Sequence, residues 1–258
     1  ATSLAQNGHE VTVICPKGKG FMKSQETIDG VRIYRHPMPI EGDSGVTYLL
    51  EYGLALVWEF LLTWWVFFRH GFKVIEGCNP PDNIVLVAWP FKLFGVKYIF
   101  DHHDVNPELY YSKYEKKDFL YKALVWLEKL TFRGADVVMS TNESYRGLAI
   151  ARGGMAPEDV FVVRNGPDME TFKPVAPIAE LKHGKKYLVG YVGTMSVQEG
   201  LDILLSVADS IKKSGRDDVH FTCVGGGPGL EELRRMNAEM GLEDRVNFTG
   251  RVSDEDLI

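Results

Sequence analysis

At 258 residues, with 45% hydrophobic and 25% charged positions, the chain has the make-up of a soluble globular protein and the length for two domains. A net charge of −6 excludes a nucleic-acid binder that works by neutralising phosphates. Cys15, Cys78 and Cys223 are far apart, odd in number and without metal-ligand spacing; each ends an apolar run, which predicts buried thiols in a reducing compartment.

In chain order, Ala1–Asn7 reads as the back half of a helix stopped by Gly8, and no signal-peptide pattern is visible. Strands are predicted at Val11–Cys15, Val31–Arg35, Lys73–Glu76, Val96–Phe100, Asp136–Ser140 and Val160–Val163. Helical patterns lie between them at Tyr48–Arg69, Asp82–Phe94, Asp118–Arg133 and Asn142–Arg152. Such alternation means βαβ units and a mostly parallel sheet with helices on both faces. The segment Pro167–Lys186, with Pro167, Pro174 and Pro177, reads as an interdomain linker. A second alternation follows: Tyr187–Val192, Gly200–Ser214, Val219–Val224, Gly229–Met240 and Arg245–Thr249. It holds three strands, about half a doubly wound domain. A strand and glycine-rich turn are expected upstream of Ala1, and the sequence reaches Ile258 one turn into a helix capped by Ser253. The expectation is a fragment: an N-terminal domain over 1–168 without its first strand, a linker over 169–186, and a truncated second domain over 187–258.

Two segments raise the question of membranes. In Val46–Phe68 the residues Glu51, Ala55, Glu59 and Thr63 recur every four positions and form one less apolar stripe. Its longest uncharged stretch, Phe60–Phe68, is far short of the roughly 20 residues of a span. A buried amphipathic helix is predicted. The segment Leu109–Arg133 mixes Tyr110, Tyr111, Tyr114, Phe119, Tyr121 and Trp126 with Lys113, Lys116, Lys117 and Lys122. It reads either as a basic, aromatic surface for an anionic bilayer or as a solvated face beside a packed one.

Chemistry-bearing residues cluster where strands end. In YIFDHHDVNPELYY (Tyr98–Tyr111) a strand closes on Asp101, His102, His103 and Asp104, and Pro107 predicts a loop. Polar groups at the carboxyl end of a strand are where ligands bind in open α/β sheets. The Gly77–Asp82 run reads as structural, with Pro80 and Pro81 suited to a helix start, and Asn79 lining the cleft is the alternative; Thr141–Ser144 caps the next helix, and Asn165–Gly166 makes a turn between domains. YLVGYVGTMSVQEGLDILL (Tyr187–Leu205) reads as strand, loop and helix, which offers backbone N–H groups and a helix dipole to an anion. HFTCVGGGPGLEEL (His220–Leu233) runs from a strand through Gly225, Gly226 and Gly227 into a helix. Asp254, Glu255 and Asp256 look like a metal-binding acidic triad, but their place in a first helical turn is explained by the dipole.

Val160–Asp168, Tyr187–Leu205 and His220–Leu233, in this order, resemble the second half of family 4 glycosyltransferases. The resemblance covers most of the chain. It implies an α/β, GT-B-like fold: two Rossmann-type doubly wound domains facing a cleft, the second incomplete. It implies that His103 contacts the transferred sugar or the acceptor while Asp104 and Glu108 orient its loop. On the donor side it assigns Gly193, Thr194 and Glu199 to the diphosphate, Gly225, Gly226 and Gly227 to the nucleotide, and Arg251 and Val252 to the base. One departure stands out: Thr194 and Glu199 occupy the places of an Arg and a Lys that neutralise the diphosphate in the family. The family's Glu-rich ribose-gripping motif would follow Ile258. The implied activity is retaining transfer from a nucleotide-sugar donor to a glycan or lipid-linked hydroxyl, with no metal, no cofactor and no nucleic-acid partner. A cytoplasmic site, with peripheral contact to the inner face of the membrane, fits such acceptors. The alternatives are a nucleotide-sugar epimerase of the same fold and a non-catalytic homologue that binds a nucleotide or glycan.

Overall fold

A computed structural model describes residues 1–18, 20–38, 45–166 and 172–257, the side chains of 45–49 and 254 excepted. It divides into two units, Ala1–Asn165 and Gly166–Ile258. Pro167 and Asp168 of the expected linker lie outside the described residues. The later part of that linker is tied to the second unit: Lys185 pairs with Asp217 at 2.7 Å, and the His183 ring lies 4.1 Å from that of His220.

In the first unit a short helix α1 (Thr2–Gln6) leads to β1 (Thr12–Pro16), β2 (Gln25–Ile28) and β3 (Val31–His36). β1 runs parallel to β3, and β2 pairs antiparallel on its other side. Strand β2 was not expected, because its polar residues carry little strand signal. The signal lay in the turn. Asp29 and Gly30, at φ 48° and 81°, form a two-residue hairpin whose Ile28↔Val31 register matches the right-handed strand twist.

Helix α2 (Gly45–His70) leads into β4 (Val74–Cys78), α3 (Val85–Lys92) and β5 (Lys97–His102). Helices α4 (Asn106–Tyr114) and α5 (Phe119–Gly134), β6 (Val137–Ser140), α6 (Glu143–Ala151) and β7 (Val160–Val162) complete the unit. The sheet order is β4-β5-β6-β7, all parallel, as the βαβ alternation requires. Val85, Phe100, Phe132, Val138 and Ala149 fill the core between this sheet and its helices.

Three expectations are corrected here. Pro107 does not force a loop; it stands in the first turn of α4, where its missing N–H costs nothing. Leu109–Arg133 is therefore two helices, parted at Glu115 (φ 52°) and restarted by Asp118, whose carboxylate accepts from the N–H groups of Leu120 and Tyr121. Only Cys223 is buried: Cys15 is half-buried and Cys78 exposed, because Cys78 ends an edge strand.

The long helix α2 is amphipathic in reverse. Ala55, Thr63 and Val66 are buried where α2 packs on β1, β3 and α3, whereas Leu54, Val57, Leu61, Trp65 and Phe68 face outward. Burial pushes the half-buried Glu59 carboxyl up to about 7. The less apolar stripe thus faces the protein and the apolar stripe faces out, the opposite of the buried helix predicted.

The second unit contains β8 (Tyr187–Val192), α7 (Leu201–Lys213), β9 (Val219–Val224), α8 (Leu230–Glu239), β10 (Val246–Gly250) and a final turn α9 (Asp254–Leu257). Its sheet is β10-β9-β8, all parallel. Leu201, Leu205 and Ala208, spaced by one and two turns, bury one face of α7 against Phe221 and Cys223. At the edge, β8 leaves Tyr187, Leu188, Val189 and Val192 exposed.

Candidate functional site

In the first unit the site lies at the carboxyl ends of β4 and β5. Residues of a strand alternate faces, so His102 and His103 diverge. His102 is fully buried among Phe100, Phe132 and Tyr145, and burial, reinforced by the Arg152 charge, lowers its pKa to about 4. The His103 side chain is 30% exposed. Its Nε2 lies 2.8 Å from Asp101 Oδ2, and Asn165 Nδ2 lies 3.4 Å from its Nδ1. With the proton on Nε2, Asp101 accepts from the ring while the Asn165 amide donates to Nδ1.

The backbone of this loop is held by Asn79. Its Oδ1 accepts from the N–H of His103 at 2.8 Å and of Asp104 at 3.1 Å. Its Nδ2 donates to the Asp104 carbonyl at 2.6 Å and to Asp82 Oδ1 at 2.8 Å. Asn79 is buried, so it clamps the His103–Asp104 loop from behind instead of lining the cleft. Asp82 is buried as well; desolvation raises its pKa against hydrogen bonds from Asn106 and Asn79. Thr131 donates its hydroxyl to the Asp82 carbonyl, which ties α5 to the same corner.

Glu108 is drawn away from His103 by Arg152. The guanidinium reaches Glu108 with two N–H groups, at 2.5 and 3.0 Å, and donates to Glu128 Oε1 at 2.6 Å. Glu128 is buried, and that burial outweighs the guanidinium, raising its pKa to about 7. Glu108 thus anchors the start of α4 to α5 and α6, and it orients the loop indirectly. Sequence reasoning singled out Asp101 at the strand end without giving it a role, and it missed Arg152, which is 44 residues from Glu108 and carried no local signal.

Cys78, Asp101 and His103 bring a thiol, a carboxylate oxygen and an imidazole nitrogen within 4.8 Å of one another, and among the described residues this group could hold a metal ion. Desolvation, and then the carboxylates of Asp101, Glu76 and Asp104, push the Cys78 thiol up to about 11. Asp256 is engaged in capping: Ser253 Oγ donates to its Oδ2 at 2.7 Å and accepts from its backbone N–H at 3.2 Å.

In the second unit the glycine loops enclose a cavity of about 240 Å³ lined by Gly193, Thr194, Gly225, Gly226, Arg251 and Val252. Six of the eight expected donor-side residues therefore meet in one place; Gly227 and Glu199 do not line it. Backbone hydrogen bonds lace its walls. Gly193 N donates to Val224 O, Met195 N to Gly226 O, Gly225 N to Gly250 O, and Gly229 N to Met195 O, at 2.9–3.1 Å. A Cβ on Gly225, at φ 136°, would sit 1.9 Å from the Gly193 oxygen; one on Gly227, at φ 157°, would sit 2.4 Å from that of Met195. Met195, fully buried, pins the loop from beneath and was missed because a single Met gives no pattern. Tyr191 donates its hydroxyl to Thr194 O at 2.8 Å and lies 3.3 Å from Glu199 Oε2. Among the described residues no cation pairs with Glu199. Among the described residues, the one charged side chain in the lining is Arg251.

Residues 1–166 match the family described as Glycosyl transferase 4-like domain, and residues 173–258 match Glycosyl transferases group 1. The GDP-mannose-dependent alpha-(1-6)-phosphatidylinositol monomannoside mannosyltransferase of Mycobacterium tuberculosis is 34% identical over 130 residues, 48% of this chain and 33% of that protein. Mannosylfructose-phosphate synthase of Agrobacterium fabrum is 24% identical over 153 residues, 54% of this chain and 34% of that protein. Both alignments thus span about a third of the relative's length. Among solved structures, WaaG, a glycosyltransferase involved in lipopolysaccharide biosynthesis, gives a TM-score of 0.63 at 14% identity, covering 99% of this chain and 65% of that one. Anabaena Alr3699/HepE in complex with UDP and glucose gives 0.61 at 17% identity, covering 88% and 57%. These likenesses establish the fold as α/β and GT-B-like.

Proposed function

Because the chain belongs to the glycosyl transferase 4-like family, we propose that the complete protein moves a sugar from a nucleotide-sugar donor to a hydroxyl of a glycan or lipid-linked acceptor, with retention and without a metal. The observation that carries the donor half is the cavity in which Gly193, Thr194, Gly225, Gly226 and Arg251 meet. Bare backbone at the start of α7 and α8 suits phosphate oxygens. Arg251 supplies a positive charge in the lining of a site whose loop carries Thr194 and Glu199. The relatives named above include a GDP-mannose-dependent enzyme, and one solved neighbour holds UDP, which supports a nucleoside-diphosphate donor without fixing its base.

On the acceptor side, His103 meets the transferred sugar and Asp101 holds its ring. The acceptor hydroxyl attacks from the face the diphosphate leaves, and a leaving phosphate oxygen takes its proton, so no carboxylate nucleophile is required. Capping engages Asp256, which supports chemistry without a metal. A cytoplasmic position at the inner face of the membrane would suit donors and acceptors of this class.

The test is transfer from a labelled nucleotide sugar by the complete protein, with the product anomer read by NMR in the presence of a chelator. His103→Ala lowers kcat about 100-fold with a smaller change in donor affinity. Nucleotide binding without transfer or donor hydrolysis would establish a binding homologue instead.

A further inference from the structure

Helix α2 carries a surface that the reaction leaves unused. Its outward stripe, Leu54, Val57, Trp58, Leu61, Trp65 and Phe68, is apolar throughout, and Phe68 is 78% exposed. The stripe covers about four turns, or roughly 20 Å. Trp89, Leu93 and Phe94, on α3 and just after it, are exposed too, and α3 packs beside α2. By length and composition Leu50–His70 could cross a membrane, yet only 17% of it is buried, too little for the core helix of a globular domain. Its inner stripe, with Thr63 and Glu59, packs on β1, β3 and α3, so the helix is fixed to the surface of its own unit.

Charge frames one end of this face. Arg69 stands in the last turn of α2, Lys92 closes α3, and Lys73 and Lys97 stand side by side where Lys97 N–H donates to Lys73 O at 2.9 Å. A single carboxylate, Asp136, pairs with Lys92 and Lys97, which leaves the rim positive. No acidic side chain interrupts the outward stripe.

We propose that the α2–α3 face is a bilayer-binding surface: α2 lies in the plane of an anionic membrane, its outward side chains in the acyl boundary and the basic rim among the headgroups. An apolar stripe flanked by cations matches an anionic lipid surface in both its parts. The face differs from the aromatic, basic surface of α4 and α5, where Lys113 lies over Tyr114 and Lys117 over Tyr111 and Tyr121, so that cations and rings are interleaved there and not set apart as an apolar stripe with a basic rim. The inference concerns where the protein sits and stands or falls separately from sugar transfer.

The experiment is flotation of the complete protein with vesicles of phosphatidylcholine alone and of phosphatidylcholine mixed with phosphatidylglycerol. Binding is expected on the mixed vesicles, and Leu61→Glu with Trp65→Glu lowers the partition coefficient at least about tenfold while circular dichroism and melting are retained. Lys73→Glu with Lys97→Glu weakens binding to the mixed vesicles alone. Of the five tryptophans four lie on α2 and α3, so in a Trp126→Phe variant acyl-brominated lipid should quench the remaining fluorescence, which decides the matter even if the Glu variant does not fold. Undiminished binding by the folded Glu variant, or loss confined to Phe119→Ser with Trp126→Ser, overturns the proposal. So does absence of vesicle binding together with a dimer that Leu61→Glu dissolves.

Discussion

The two units hold their candidate sites by different means. In the first, buried side chains do the holding: Asn79 clamps the backbone of His103 and Asp104, and Arg152 ties Glu108 to Glu128. In the second, main chain holds main chain, and glycines allow the approach. A side-chain clamp fails when a partner is removed and leaves polar atoms buried and unpaired. A backbone lacing fails when an atom is added. The substitutions that break each site are therefore opposite in kind.

The largest effect is expected at Gly225. Alanine there combines φ 136° with a contact of 1.9 Å to backbone that cannot rotate away. Gly225→Ala should cost at least about 5 kcal/mol and abolish the cooperative unfolding transition of the second unit. Its neighbour sharpens the comparison. A Cβ on Gly226 meets nothing within 4 Å, so Gly226→Ala should stay within about 1 kcal/mol of the parent in denaturant unfolding.

Next comes Arg152→Met in the first unit. It strands Glu128, whose side chain is 1% exposed, and should cost about 3–5 kcal/mol in urea unfolding. The pH dependence carries the signs of its buried groups. Glu128, raised to about 7, contributes stability that is fully present below its unfolded value and lost as pH rises through 7. His102, lowered to about 4, contributes stability present above its unfolded value and lost as pH falls through 4. Glu59 on α2, also raised to about 7 by burial, has the same sign as Glu128. Glu128→Gln with Glu59→Gln should therefore flatten the alkaline limb of a stability profile and leave the acid limb in place. A limb near pH 7 that persists in the double variant would assign it to another group.

Asn79→Ala removes four hydrogen bonds around a buried corner but leaves His103 itself untouched. A loss of about 2–3 kcal/mol is expected, together with a lower kcat, because the loop is no longer fixed. Asn79→Asp keeps the acceptor for both N–H groups but loses the donor to the Asp104 carbonyl and sets a second carboxyl beside Asp82. It should be no milder than alanine. A variant with normal turnover would show that His103 does not depend on this clamp.

Legibility followed the same divide. The parallel strands and the glycine loops could be read because periodicity and glycine placement are local, and six donor-side residues came together in one cavity. What escaped was non-local or inverted. Arg152 meets Glu108 across 44 residues, and Asp101 acts through a ring two positions on. In α2 the pattern of one polar stripe was read correctly, but pattern alone does not say which stripe faces the protein. The extended, polar β2 lost out to propensity, although its Asp29–Gly30 turn announced the hairpin.

The smallest effect is expected where backbone holding meets charge, at Glu199. Its carboxylate lies 3.3 Å from the Tyr191 hydroxyl and outside the cavity lining, and among the described residues no cation offsets it. A carboxylate near the loop opposes a diphosphate without being part of its cradle. Glu199→Lys should then tighten binding of a free nucleoside diphosphate by about 1 kcal/mol, the size of a solvent-weakened charge-assisted contact. The backbone lacing does not use this side chain, so the melting temperature should hardly move. Calorimetry on the complete protein reads both the sign and the size. Weaker binding would mean that a cation from beyond the described residues pairs with Glu199 and was stripped away. An unchanged affinity, with Arg251→Ala also without effect, would remove the diphosphate from this cavity altogether.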